Sequence, residues 1–464
     1  MKRKVVFIVS LILIFGVSTV MAASYLYHAT EVSFTSSNKN WDADNVKDAL
    51  DDLYARLDDG SDLKGAEPVI TGDLIPVTIS SDGTVTRADT NSKWYDYGKK
   101  EWANAVILID KTKSYSVGDT ILEANIESYF VWIPKYRYRL WNTGTASKKI
   151  HQIDIIFGDY DTKDSVDGEC TTPMTSGNVG NCKNGDYMTH PAFLAFNKKG
   201  FWVGKFEVGY KGATSTATAQ VNANDSSKVI VKPNSYSWRN ITVANMFNTS
   251  KNYQTALDSH MMKNTEWGAV AYLSHSKFGI GYEININNNS SYLTGYSALL
   301  STDQQTYPGT YGTADTVTQP YNTEVGYLAS TTGNITGVYD MSGGAHEYMA
   351  SYISGKPGSA GFTPGTDKYY DVYSTSSSVS NYKYMILGDA TGEMGPFKSY
   401  LDGDNSSRWH NSWYGDISNF VEASDPWFVR GGIYDHGVLA GQFNFNRGTG
   451  GVYTNVGFRL VLAP

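Results

Sequence analysis

Between Ile433 and Val456 the chain mixes Tyr434, Asp435, His436, Asn444, Asn446, Arg447 and Tyr453 with five glycines, and carries no Lys, Glu, Met or Trp. Rigid aromatics set among short polar groups and glycine suit non-covalent recognition, because Tyr supplies contact area at low entropic cost. Val438, Leu439, Thr449 and Asn455 complete the expected ligand-contact set. A Gly-rich surface loop with no partner fits the same composition.

Covalent chemistry is harder to assemble. Asp425, His436 and nearby serines could be drawn as a triad, but no Gly-x-Ser-x-Gly nucleophile elbow occurs. Gly448, Gly450 and Gly451 lack the strand, helix and Lys-Ser/Thr of a phosphate cradle. Asp161, Asp164, Asp167 and Glu169 lack the alternate spacing of an EF-hand loop and read as a solvated acidic loop. The histidines (His28, His151, His190, His260, His275, His346, His410 and His436) are scattered, none at a paired ligand spacing. Cys170 and Cys182 close a short loop rich in Gly, Ser and Thr. In an exported chain such a pair is most simply a disulfide, contributing about 2–3 kcal/mol through loop closure.

The recognition segment needs rigid supports. Trp427 to Gly432 precedes it, and Val456 to Leu462 forms a closing strand after it, with Val456, Phe458, Leu460 and Leu462 alternating against Gly457, Arg459 and Val461. YFVWIPKYRYRL from Tyr129 and GFWVGKFEVGY from Gly200 read as further strands, and TGVYDMSGGAHEYMASY as strand and turn. KNTEWGAVAYLS predicts a helix entered through Asn264 or Thr265, with Glu266 in its first turn.

At 464 residues the chain exceeds one ordinary core, so two or more modules are expected. The 34 Tyr, 45 Gly and 18% charge suit an all-β or loop-rich extracellular protein better than a helical one. A net charge of −8 without a basic stripe argues against nucleic acid as partner. Met1 to Ala23 pairs three cations with an apolar run, which fits a cleaved signal peptide or a retained membrane anchor, and either exports the rest of the chain. Asn45 to Asp59 places Val46, Ala49, Leu50, Leu53 and Leu57 on one helical stripe. Such a short helix gains stability by self-association or docking, or serves as a solvated linker.

Five segments in order resemble the formylglycine-generating-enzyme-like (sulfatase-modifying factor) branch of the C-type lectin fold. GFWVGKFEVG is similar to that family's early strand, and Thr265-Glu266-Trp267 to its Thr-Glu-x-x-Trp helix. GVYDMSGGAHEYMASY is similar to its Gly-Leu-Tyr-Asp-Met-x-Gly-Asn-x-Trp-Glu-Trp motif, and VRGGIYD and VGFRLVL to its closing signatures. The resemblance spans about residues 129–464 and is greatest to variable proteins of diversity-generating retroelements. Those display a hypermutated surface between an Arg-Gly-Gly opening and a Gly-Phe-Arg close. Adenine mutagenesis of Asn-type codons cannot give Gln, so Gln442 would be a scaffold position with Ala440, Gly441 and Phe443.

The resemblance implies an α+β, loop-rich domain of the C-type-lectin and sulfatase-modifying-factor kind. Ahead of it would come an N-terminal apolar helix, a short stalk helix and a small β-rich region. The expected boundaries are 1–27 for signal peptide or anchor, 28–60 for the stalk, 61–128 for a β-rich connector and 129–464 for the main domain. The copper-binding cysteine pair of the catalytic members has no counterpart after Cys182, so a binding protein is expected rather than an enzyme. An oxidase or other enzyme and a pilus-like structural subunit are the alternatives. No cofactor is expected beyond a structural calcium. With Gly344 in place of the motif's Asn, Glu347 could be a calcium ligand or a carboxylate accepting from local backbone N–H groups. The expected partner is a protein or carbohydrate outside the cell, with homo-oligomers through the stalk and membrane contact through an uncleaved N-terminus.

Overall fold

Runs of aromatic and β-branched residues favour pleated, half-buried positions, and here they assemble into sheets. The computed structural model describes residues 65–140, 153–158, 188–193, 199–300, 314–358, 360–365, 367–373, 416–417, 419 and 421–464. The N-terminal apolar segment, the stalk helix, the acidic loop and Cys170 with Cys182 lie outside these residues.

A seven-stranded sheet is built from β1 (Ile75–Ile79), β2 (Val85–Arg87), β3 (Asn104–Leu108), β4 (Ile126–Pro134), β8 (Gly200–Gly204), β11 (His260–Met261) and β19 (Leu460–Leu462), in the order β11-β19-β8-β4-β3-β1-β2. β5 (Tyr136–Leu140), β6 (Ile153–Phe157) and β7 (Met188–Thr189) make a three-stranded sheet. Two small pairs join β9 (Gly209–Tyr210) to β10 (Val229–Ile230) and β12 (Tyr296–Leu300) to β13 (Ala314–Pro320). A five-stranded sheet contains β14 (His346–Ile353), β15 (Asp371–Tyr373), β16 (Trp427–Gly431), β17 (Gly441–Gly448) and β18 (Val456–Gly457).

The expected α+β class is corrected by this inventory. The described residues are mostly strand, with two α-helices, α1 (Val243–Lys251) and α2 (Asn264–Ser274). No helix among them is long and apolar enough to cross a membrane. The physical reason is local: few segments hold apolar residues at helical spacing, whereas β-branched and aromatic runs are frequent.

Residues 61–128, expected as a connector, supply β1, β2 and β3 to the same sheet as β4 and β8. Leu63–Pro464 accordingly form one compact unit. The single strand expected from Tyr129 divides at Lys135 into β4 and β5, which belong to different sheets. Pro134 ends the first of them, as a residue without a backbone donor must. The closing strand also divides, into β18 beside β14 and β19 beside β8, and both its faces are buried.

Helix α2 starts one residue earlier than the sequence suggested, with Lys263 as N-cap. Glu266 explains the shift. Its Oε2 accepts from the Lys263 backbone N–H (2.8 Å) while its Oε1 meets His260 Nε2 (2.8 Å). Every residue of α2 is buried, so the helix is a core element, and Trp267 Nε1 donates to the Gln442 carbonyl of β17 (2.7 Å).

Candidate functional site

The 433–456 segment is not one exposed stretch. It divides into a loop at 432–440, the buried strand β17, and a second loop at 449–455. β16 and β17 pair antiparallel, Trp427 opposite Gly448 and Val429 opposite Asn446. Gly431 and Gly432 turn the chain out of β16 at φ 83° and 81°. A Cβ on Gly432 would stand 2.7 Å from Ala440, so the loop's two ends are pressed together.

Asn444, expected as a contact residue, is buried, and its Nδ2 donates to the Leu439 carbonyl (2.6 Å). Its work is to tie the first loop to β17. Ala440, Gln442 and Phe443 are buried around it. Asn446 is half-buried and its Oδ1 accepts from Asn419 Nδ2 (3.0 Å), while Arg447 pairs with Glu422 (2.8 Å). Leu439 is half-buried, and the backbone of Val438 lies in a short 3-10 turn.

The outward groups come from the two loops. Tyr434 is half-buried, and its ring meets Tyr292 edge to face at 5.1 Å. Asp435 is exposed, and His436 lies against His346. In the second loop Val452 and Tyr453 are 44% and 40% exposed, and Tyr453 Oη and Thr449 Oγ1 share a hydrogen bond (3.1 Å). Asn455 is half-buried, and its carbonyl accepts from the His346 N–H (3.0 Å).

Residues outside the segment hold both loops in place. Asn240 and Val243 donate backbone N–H groups to the Tyr453 and Gly450 carbonyls (2.9 and 3.0 Å). The Tyr348 hydroxyl accepts from the Gly450 N–H (3.0 Å). The Gly344 carbonyl accepts from the Tyr434 N–H (3.0 Å).

Arg239 links the two loops. Its guanidinium stacks at 3.7 Å on Tyr292, the ring that Tyr434 meets, and donates to the carbonyls of Thr454 and Thr216. Burial lowers its pKa, with Tyr292 and Glu207 opposing, and a guanidinium stays charged at any ordinary pH. The sequence offered no local sign of Arg239 or Tyr292, which lie 195 and 142 residues before Tyr434.

Glu347 is not placed to bind calcium. Both its oxygens accept from Arg459, Oε2 from Nε at 3.0 Å and Oε1 from Nη2 at 2.5 Å, with both side chains buried. A bidentate guanidinium takes a lone pair of each oxygen and already supplies the positive charge that a cation would bring. Among the described residues no group of three or more His, Cys, Asp and Glu could hold a metal ion.

Of the drawn triad, Asp425 accepts from Ser424 Oγ (2.8 Å), and His436 packs on His346 with ring centres 5.1 Å apart. Burial pushes His346 down to about 3, and the neighbouring His436 adds to the effect. Burial also lowers His436, against the pull of Asp435. No family model matches this chain, and no curated protein matches it.

Proposed function

We propose that this chain is an exported ligand-binding protein, tethered or secreted at a cell surface, of the kind it resembles among retroelement variable proteins. Its contact face is formed by loops 432–440 and 449–455, and its ligand is a protein or carbohydrate outside the cell. The supporting observation is a division of labour. Backbone groups and residues outside the loops anchor both of them, while Asp435, Val452 and Tyr453 face water and Tyr434 is half-open. Side chains at such positions can change without disturbing the core.

A second feature agrees with the resemblance. Trp267, from the helix motif, lies beneath the guanidinium groups of Arg430 and Arg459, from the two closing motifs, at 5.6 and 5.9 Å. Arg459 in turn binds Glu347 of the third motif, so motifs far apart in the chain meet in one buried cluster.

The test separates face from frame. Alanine at Asp435 or Tyr453 should change folding stability by no more than about 0.5 kcal/mol, and at Tyr434, whose ring packs on Tyr292, by about 0.5–1.5 kcal/mol. The same changes should weaken, at least about tenfold for the strongest, binding to a ligand selected from cell-surface proteins and glycans. Trp427→Ala or Phe458→Ala should instead cost about 3–5 kcal/mol. Thermal scans and binding curves measure both sets, and large destabilisation across the loop variants would overturn the proposal. A neighbouring reverse transcriptase gene, with a near-copy of the codons for 427–462 differing at adenines, would support it independently.

A further inference from the structure

His346, on the framework strand β14, and His436, in the first loop, come together at the root of the contact face. Their ring centres are 5.1 Å apart with planes at 75°. The Nδ1 atoms of both rings are buried, and neither has a hydrogen-bond partner. A buried polar atom left unsatisfied costs about 1–3 kcal/mol, so two of them on neighbouring rings call for a shared explanation. Edge-to-face packing alone accounts for the ring angle but leaves both nitrogens bare.

The geometry points to a transition-metal site: we propose that His346 and His436 bind one divalent ion of the zinc, nickel or copper class through their Nδ1 atoms. Imidazole is a common ligand for these metals. With metal–nitrogen bonds of about 2.0–2.1 Å, an ion lies about 3.2 Å from each ring centre, and a tetrahedral angle then separates the centres by about 5 Å. The observed spacing is 5.1 Å. His346 is 7% exposed whereas His436 is half-open, so an ion enters from the His436 side. With two protein ligands, the remaining coordination positions fall to water or to a donor from outside, so the site is open, unlike a structural site closed by four protein ligands. The proposal stands whether or not the loops recognise a ligand.

Titration of the full chain with Zn²⁺ by calorimetry, and with Co²⁺ by visible absorption, tests it. The intact protein should take up one Zn²⁺ and give the absorption of four-coordinate Co²⁺. His346→Gln and His436→Asn should each weaken binding by more than about tenfold, since even outer-shell partners of a metal are worth about 10–100-fold, and each should abolish the Co²⁺ spectrum. His436→Asn changes a half-open loop position, so it remains informative if His346→Gln fails to fold. Absence of Zn²⁺ binding, or equal binding by the intact protein and the His436→Asn variant, would overturn the site.

Discussion

Glu207, Asp340 and Glu347 are three buried carboxyls set near one guanidinium, that of Arg459. Burial raises all three, bringing Glu347 to about 7 against the opposing charge of Arg459, and Glu207 is raised further by Asp340 and Glu347. The folded protein therefore keeps protons that the unfolded chain releases near the ordinary value of 4.5. Wherever the folded state binds more protons, stability falls as pH rises. Glu347 alone should then make stability decline from about pH 4.5 to about 7, and Glu207, raised well above its ordinary value, should add to the decline as pH rises. Glu207→Gln keeps an oxygen for the Ala345 N–H, which Glu207 Oε1 now accepts at 2.8 Å, and removes one charge. Melting temperatures across this range should show a shallower slope for the variant and a gain in stability above pH 7. An unchanged slope would mean that the cluster is not the source.

At the scale of elements, β17 is an edge strand that carries both contact loops, and an open edge invites pairing with other chains. Asp416, Ile417 and Asn419 cover it. The Phe445 N–H donates to Ile417, the Asn419 N–H donates to Phe445, and the Phe443 N–H donates to the Asp416 carboxylate (3.0 Å). Gly441 leaves room for that carboxylate, since a Cβ there would stand 2.1 Å from Asp416 Oδ2. Gly441→Ala should therefore destabilise the protein by about 1–3 kcal/mol, as overpacking does. Gly365→Ala, with nothing within 4 Å of its Cβ and no positive φ, should be neutral within about 0.5 kcal/mol. Chemical denaturation of the two variants compares them directly, and equal effects would contradict the part assigned to Asp416.

Across the whole molecule, the seven-stranded sheet places the last strand, β19, between β8 and β11, with the earliest strands toward the opposite edge. Trp202 Nε1 donates to the Val69 carbonyl (2.8 Å), and Lys205 Nζ donates to Asn104 Oδ1 (2.9 Å), so early residues also close the core. A chain shortened to 129–464 would lose β1 to β3 and the first part of β4. It should fail to fold, whereas 63–464 should melt cooperatively. Circular dichroism and gel filtration of the two would decide, and a folded 129–464 would restore the boundary that the sequence suggested.

Local order along the chain was enough to reveal whatever depends on near neighbours. The strands around Tyr129, Gly200 and Trp427 and helix α2 were legible because a run of alternating or helically spaced apolar residues suffices to make them. The two hydrophobic brackets of the recognition segment were legible for the same reason. Which polar residues face water emerged only from the folded arrangement. Asn444 looks like a contact residue until its hydrogen bond to Leu439 is seen, and Glu347 looks like a calcium ligand until Arg459, 112 residues later, takes both its oxygens. Arg239 and Tyr292, which support Tyr434, carry no local pattern at all. Spacing along the chain reports periodicity, whereas pairing and burial depend on segments that meet only once the sheets have formed.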